Sequence, residues 1–419
     1  MNPSKVGLLF VVFVDVMGQG IIFPIFNTLV MDPSQTYLPS GTPDSTRHFD
    51  YGLVIGIFYV SWFLGSVYIS KLSDSIGRKN GILICLTGTL VGYVLTIVSL
   101  AHSSLWLMAL GRAITGFTAG NQPIAQAAMV DLSHSDAERT RNMGYILAAI
   151  SVGLVAGPLI GGIFSDQSIL GEYASFSLPF YVAIGLVLVA MALIVFFFED
   201  KLQTRVPLRM GPMEIFRLLW KVVEMPKVGR ISIVFFFYLL CLNTFYIFMD
   251  NYLTSRFGIE TVGTSAAMLV MGVALAITSA FLVPVFAARF TKQSIIIGTA
   301  IVMAASSLLY AATGSEVITY LAIVPMAVAF AIGYPTLLGI FSSSVDATEQ
   351  GWVMGVSVAL FTSGAGIASF AGGELMGLDI HLPFYIAAAG AIVSVILVGL
   401  VWRVPGIQQI VGMQSTASE

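Results

Sequence analysis

The sequence predicts an all-α integral membrane protein whose twelve transmembrane helices form two pseudo-symmetric six-helix bundles. Its 419 residues are 57% hydrophobic and only 10% charged, whereas roughly 25% of residues in soluble domains are charged. A helix needs roughly 20 apolar residues to cross a bilayer. Twelve stretches meet this requirement and are numbered helix 1 to helix 12: 6–30, 51–70, 80–101, 105–131, 142–164, 177–198, 231–253, 263–288, 294–313, 317–342, 352–374 and 382–402.

Basic residues alternate between the two sides of these helices. They precede helix 1, follow helices 2, 4, 8 and 12, and concentrate in the loop between helices 6 and 7, whereas the opposite loops hold only Arg47 and Arg256. The positive-inside rule therefore predicts that both termini are cytoplasmic and that loop 32–49 is external. We expect a multi-pass protein of a cell membrane, which in a bacterium is the inner membrane.

The polar segment between helices 6 and 7 divides the chain. It predicts a first bundle at 1–198, a cytoplasmic linker at 199–230, a second bundle at 231–403 and a cytoplasmic tail at 404–419. Within the linker, one helical face is apolar and would lie on the membrane surface: Met213, Phe216, Leu219 and Trp220.

The two bundles are predicted to be copies of one six-helix unit. LPFYVAIG at 178–185 returns as LPFYIAAAG at 382–390. Four glycines of helix 5 also return in helix 11 at a constant offset of 211 positions (355 − 144), and the pairs are 144 and 355, 153 and 364, 161 and 372, and 162 and 373. In transporters, such repeats enclose a site at the middle of the membrane and rock against each other.

Helix 5 is unusual because it combines glycines with a proline. Gly153, Gly157 and Gly161 are four residues apart, which places small residues on one helical face and permits close helix packing. Pro158 removes a backbone donor and favours a bend. We expect this face to form a contact that opens and closes, although static packing explains the spacing as well.

Four stretches resemble motifs of the major facilitator superfamily in its twelve-helix drug:proton antiporter form, with the tetracycline-exporter branch as the nearest match. DVMGQGIIFP at 15–24 resembles the motif of helix 1, SKLSDSIGRKN at 70–80 the signature between helices 2 and 3, and GRAITGFTAG at 111–120 the arginine motif of helix 4. The antiporter motif of helix 5 is matched by Gly144, Gly153, Gly157, Pro158, Gly161 and Gly162. The resemblance implies proton-coupled efflux by alternating access, with helix 5 moving against helix 8.

The 70–80 loop is predicted to form a cytoplasmic gate. Asp74 can pair with Arg78, Gly77 permits a tight turn, and Lys79 adds charge at the rim. A carboxylate at a helix N-terminus gains about 0.3–1 kcal/mol when exposed, and the resemblance implies that Asp74 faces helix 11. A solvated turn is the alternative, and it fits Lys79 best.

Asp15 and Arg112 lie deep within predicted helices 1 and 4. A charge at the bilayer centre costs at least about 2.5–3.5 kcal/mol on insertion scales and normally faces the bundle interior. A carboxyl whose surroundings alternate can take up a proton on one side and release it on the other. We therefore predict that Asp15 and Arg112 couple transport to protons; a permanent structural ion pair is the alternative.

Few polar side chains remain for a substrate, which favours an amphipathic or lipophilic solute. The candidates are Gln19, Asn121, Gln122 and Gln126 in the first half, and Asn243, Tyr246 and Tyr334 in the second. Packing between helices explains each of them equally well.

The sequence thus favours a proton-coupled exporter of amphipathic, drug-like molecules that works as a monomer among membrane lipids. Tetracycline exporters are expected to carry acids in helices 3 and 9 and a histidine in helix 8, which this sequence lacks, so other solutes are favoured. The alternative is an exporter or importer of a natural metabolite such as a siderophore, sugar, amino acid or nucleoside. A receptor without transport activity would not need Asp15. We expect no enzyme activity, metal, nucleic-acid partner or cofactor beyond the coupling proton.

Overall fold

The structure, a computed structural model, describes residues 2–133, 135–200, 211, 213–346 and 349–412. The linker charges predicted at Lys201, Arg205 and Arg209 and the tail from 413 onward lie outside the described residues.

Helices make up most of the described chain. The α-helices are α1 (Pro3–Met31), α2 (Asp44–Ile76), α3 (Arg78–His102), α4 (Leu105–Phe117), α5 (Asn121–Asp131), α6 (Asp136–Ser165), α7 (Gln167–Leu170), α8 (Leu178–Phe197), α9 (Glu214–Glu224), α10 (Pro226–Phe257), α11 (Thr261–Ile277), α12 (Val283–Arg289), α13 (Lys292–Ala312), α14 (Glu316–Ser342), α15 (Gln350–Leu378), α16 (Leu382–Val401) and α17 (Pro405–Val411). A π-helical turn at Thr278–Leu282 joins α11 to α12.

Eleven helices in the described part of the chain are long and apolar enough to cross a membrane. The remaining predicted span, helix 4, is broken into α4 and α5 by a non-helical segment at 118–120. Pro123 accounts for the break, because it has no N–H to donate to the Ala119 carbonyl but fits the first turn of a new helix. The break places the first turn of α5 inside the bundle.

The first compact unit comprises Met1–Pro212 and Gly258–Leu269. Within it, α1 packs along α6 and α8, α2 packs on α4, and α3 packs on α4 and α8. The start of α11 also belongs here, because the hydroxyls of Thr28 and Thr261 are 2.6 Å apart.

The second compact unit comprises Met213–Phe257 and Val270–Glu419. Its α10 packs on α15 and α16, and α13 packs on α14 and α16. The first unit has the same pairings: α10 corresponds to α1, which packs on α6 and α8, and α13 corresponds to α3, which packs on α4 and α8. Both last helices open on the repeated LPFY motif, with Pro179 and Pro383 in the first turn.

Three glycines of predicted helix 5, now α6, pack against α1: Gly153, Gly157 and Gly161. A Cβ on Gly153 would lie 2.7 Å from the Phe13 carbonyl, and one on Gly161 would lie 2.8 Å from the Ile21 carbonyl. Gly157 similarly faces the Met17 carbonyl. These positions need glycine because two backbones meet there.

The other motif positions of α6 have different surroundings. Gly162 faces Ser265 of α11, so it carries the predicted contact with helix 8, whereas a Cβ on Gly144 would meet nothing within 4 Å. The ring of Pro158 packs on α1, where a Cβ on Gly20 would lie 2.8 Å from its Cδ. Helix pairing therefore explains why the motifs of helices 1 and 5 occur together.

Candidate functional site

Asp15 is buried in the first unit, halfway along α1, with 8% of its surface exposed. The break after α4 brings Asn121, the first residue of α5, to this carboxyl, and Asn121 Nδ2 donates to Asp15 Oδ1 at 3.3 Å. No described residue bonds to Asp15 Oδ2 or to the Asn121 amide oxygen. The structure thus assigns Asn121, a predicted substrate contact, to the surroundings of Asp15.

Arg112 is buried in α4 with 4% of its surface exposed. Its guanidinium carbon lies 4.1 Å from the centre of the Phe58 ring, a cation–π contact. The Arg112 Nε has no hydrogen-bond partner in the described chain. Arg112 also forms no direct ion pair with Asp15, and the structure describes both side chains. The alternative of a permanent ion pair is therefore absent from this conformation.

A small cavity joins the two charges. Its volume of about 10 Å³ is close to the roughly 10–15 Å³ that one buried water needs. The lining combines α1, α2, α3 and α4: Asp15, Gly18, Gln19, Phe58, Thr89, Tyr93, Arg112, Thr115 and Ala119. The arrangement can transfer a proton between Asp15 and water, with a cation nearby to stabilise the carboxylate.

Sequence reasoning did not single out five of these lining side chains: Phe58, Thr89, Tyr93, Thr115 and Ala119. The signal for Tyr93 was local, since it is a polar-tipped aromatic beside Gly92 in an otherwise apolar helix. Gly18 is its counterpart in α1, because a Cβ there would collide with the Tyr93 hydroxyl. Gly18 thus leaves room in α1 for the Tyr93 hydroxyl, whereas Gly92 leaves room for Thr115 of α4.

The predicted gate residues are brought together at the end of α2. Gly77 is the only residue between α2 and α3, and its φ of 101° lies in a region that favours glycine. Arg78 pairs with Asp74 and also lies 3.4 Å from Asp131 Oδ2. Arg78 therefore bridges the ends of α2 and α5.

Lys79 belongs to a neighbouring contact. Its Nζ donates to the Val195 carbonyl at 2.8 Å, and its backbone N–H donates to Asp200 at 3.4 Å. It thus fastens the start of α3 to the end of α8. The contact of Asp74 with helix 11 stays a prediction.

The remaining substrate candidates of the first unit are separated. Gln19 is half-buried and lines the cavity with Asp15. Gln122 and Gln126 are half-buried on α5 but are not part of the cavity lining.

The candidates of the second unit lie on α10 and α14. Asn243 Nδ2 donates to the Phe361 carbonyl at 3.1 Å, which links α10 to α15. The Tyr334 ring is tilted against the Phe235 and Phe330 rings at ring-centre distances of 5.9 and 5.0 Å. Tyr246 is half-buried on α10.

The second unit also has a buried carboxyl that is not among the predicted site residues. Asp250 is fully buried seven residues before α10 ends. At that end, Arg256 bonds to the His381 ring, and His381 Nδ1 lies 2.7 Å from Asp379. The His381 backbone N–H holds the pKa of Asp379 below its usual value. This chain of contacts ties the end of α10 to the start of α16.

A family model described as Major Facilitator Superfamily matches residues 8–369. The chain is 28% identical to the tetracycline resistance protein, class D, of Salmonella ordonez, over 88% of each chain. It is 25% identical to the quinolone resistance protein NorA of Staphylococcus aureus strain MRSA252, over 95% of this chain and 96% of NorA.

A solved structure has the same fold. The human organic anion transporter MFSD10 superposes with a TM-score of 0.71 at 17% identity, covering 94% of this chain and 98% of that chain.

Proposed function

Because this chain belongs to the Major Facilitator Superfamily, we propose that it is a proton-coupled antiporter that exports amphipathic, drug-like molecules by alternating access. It lies in a bacterial inner membrane with both termini in the cytoplasm. The observation that carries the proposal is the enclosed carboxyl of Asp15, which has one unbonded oxygen and shares a small cavity with Arg112.

Asp15 is the proton carrier in this mechanism. Enclosure away from water favours the neutral, protonated carboxyl, and a nearby cation favours the carboxylate. Arg112 is held over Phe58 instead of being paired with Asp15, so its distance from the carboxyl can change during the cycle. A rearrangement that opens the cavity to one side would then release the proton there.

The substrate class follows from the polarity of the interior and from the relatives. Gln19 is the polar group beside Asp15 that has no assigned structural role, while the second unit presents aromatic rings at Phe235, Phe330 and Tyr334. Aromatic and apolar walls with few polar groups suit amphipathic solutes. The two resistance proteins support drug-like substrates, and the lack of acids in α3 and α13 favours solutes other than tetracycline.

The gate at the end of α2 controls the cytoplasmic opening. Arg78 is shared by Asp74 and Asp131, so it holds the ends of α2 and α5 together. Release of these pairs would loosen both helix ends at once.

The test is substrate-driven proton flux in proteoliposomes of purified protein. A solute panel should include a quinolone, a tetracycline, a lipophilic cation, a sugar and an amino acid. An imposed proton gradient should drive accumulation of amphipathic solutes, and a protonophore should abolish it. Proton-coupled transport of the sugar or amino acid alone would favour the metabolite alternative, and transport that is insensitive to the protonophore would contradict proton coupling.

A further inference from the structure

The second unit contains an open apolar groove between α12, α13 and α14 that the transport mechanism does not use. Its volume is about 530 Å³, within the roughly 300–1,000 Å³ typical of small-molecule sites. Phe286 and Phe290 of α12, Gly298 of α13, and Pro325 and Val328 of α14 line it.

The groove exists because helix packing differs between the two units. In the first unit, Gly116 of α4 lets the α2 backbone approach so closely that an added Cβ would collide with the Phe58 carbonyl. In the second unit, the π-helical turn Thr278–Leu282 widens the corresponding helix before α12. No residue of α12, all of which is described, is buried, and α12 packs less extensively on α14 than α2 packs on α4.

Two basic residues flank the groove-lining Phe290 in the sequence and are here called the rim of the groove. Arg289 ends α12 and Lys292 begins α13, on either side of Phe290. Among the described acidic side chains, none pairs with Arg289 or Lys292. In the orientation proposed above, this rim lies at the surface of the cytoplasmic leaflet, where anionic lipids attract basic residues by about 1 kcal/mol per charge.

The lining argues against a polar solute. Its hydroxyl groups belong to Ser294 and Thr299. The Thr299 hydroxyl donates to the Ile295 carbonyl at 2.8 Å and accepts from the Tyr238 hydroxyl at 3.2 Å. A solute site needs several polar groups to fix orientation, whereas an acyl chain needs only apolar walls.

We propose that this groove binds an anionic phospholipid. One acyl chain lies along Phe286, Phe290 and Val328, and Arg289 and Lys292 bind the headgroup phosphate as charge-assisted donors. The site rests on the proposed membrane orientation but not on drug export.

The test is native mass spectrometry of purified, delipidated protein titrated with phosphatidylglycerol or phosphatidylcholine. Gly298→Trp should place an indole in the groove, because Gly298 lines it and a Cβ there meets nothing within 4 Å. Gly399→Trp is the matched control, since Gly399 of α16 is equally unobstructed. A double Arg289→Gln, Lys292→Gln variant removes the rim charge and leaves the walls intact.

Wild type and Gly399→Trp should bind phosphatidylglycerol more tightly than phosphatidylcholine. Gly298→Trp should weaken phosphatidylglycerol binding about tenfold, which corresponds to about 1.4 kcal/mol, and the double variant should bind the two lipids equally. Equal binding of both lipids by wild type, or full phosphatidylglycerol binding by Gly298→Trp, would overturn the proposal. A raised KM for transported solute in Gly298→Trp, with lipid binding unchanged, would assign the groove to solute and would also overturn it. Because lipid binding is measured without transport, a failure of the lipid proposal can be distinguished from a failure of the proposed function.

Discussion

At the scale of single residues, Asp15 should decide proton coupling. Asp15→Asn keeps the size of the side chain but cannot release a proton, so gradient-driven export should fall to the level of empty vesicles while solute binding persists. The measurement is substrate-induced proton release from purified protein near neutral pH. Asp44→Asn is the control, because Asp44 is an exposed carboxylate at the start of α2; it should transport normally. Proton release and uphill transport by Asp15→Asn would place the carrier elsewhere, with Asp131 or Asp250 next.

Also at the scale of single residues, the substitution Asp74→Asn tests whether the 70–80 loop acts as a cytoplasmic gate. Asp74→Asn removes one of the two carboxylates around Arg78 while Asp131 keeps its contact. The Asp74 side chain is partly exposed, so stability should change by less than about 1 kcal/mol. Transport should nevertheless slow, because the ends of α2 and α5 lose part of their link.

The measurement for Asp74→Asn is initial transport rate per folded protein, with thermal stability recorded in parallel. Arg141→Gln, which removes an exposed charge near the start of α6, is the control and should behave as wild type. Unchanged transport rates in well-expressed Asp74→Asn protein would contradict the gate and support the alternative that the 70–80 loop is a solvated turn.

At the scale of helices, the contact between α1 and α6 is set by glycine. Gly157→Leu would place a side chain against the Met17 carbonyl and the Gly20 Cα. A Cβ alone at position 157 would already lie 3.0 Å from the Gly20 Cα. Overpacking of this kind costs about 1–3 kcal/mol. We therefore expect lower thermal stability and lost transport from disruption of the first unit itself.

Gly144→Leu is the matched control for Gly157→Leu. Gly144 is also in α6 and in the antiporter motif, but a Cβ there meets nothing within 4 Å. Its stability should stay within about 0.5 kcal/mol of wild type, as for most surface substitutions. Equal thermal stability of the two variants would show that the α1–α6 approach is not as close as described.

At the scale of the whole molecule, charge bias predicts the orientation. In a background of Cys85→Ser and Cys241→Ser, both of which replace buried thiols, Ser40→Cys should react with a membrane-impermeant maleimide in intact cells. Glu224→Cys, at the end of α9, should react only after permeabilisation. The reverse labelling pattern would invert the membrane topology.

Much of this protein follows from sequence alone because the relevant physics is local. Hydropathy over roughly 20 residues defines a membrane span, so eleven predicted helices appear as spans, one of them with a π-helical turn. Pro123 explains the break in the other. The cost of an intramembrane charge marks Asp15 and Arg112 wherever their helices pack. Gly77 and the Asp74–Arg78 pair lie within one turn of chain, and the family resemblance is confirmed over residues 8–369.

Only the tertiary structure decided which groups meet, because helix pairing depends on side-chain packing between distant segments. Asn121, predicted as a substrate contact, bonds to Asp15, and Arg112 rests on Phe58. The α6 glycines face chiefly α1, since glycine spacing specifies a close contact but not its partner. Similarly, repeated motifs predict two similar units, yet they do not reveal that one helix of the second unit widens and leaves a groove.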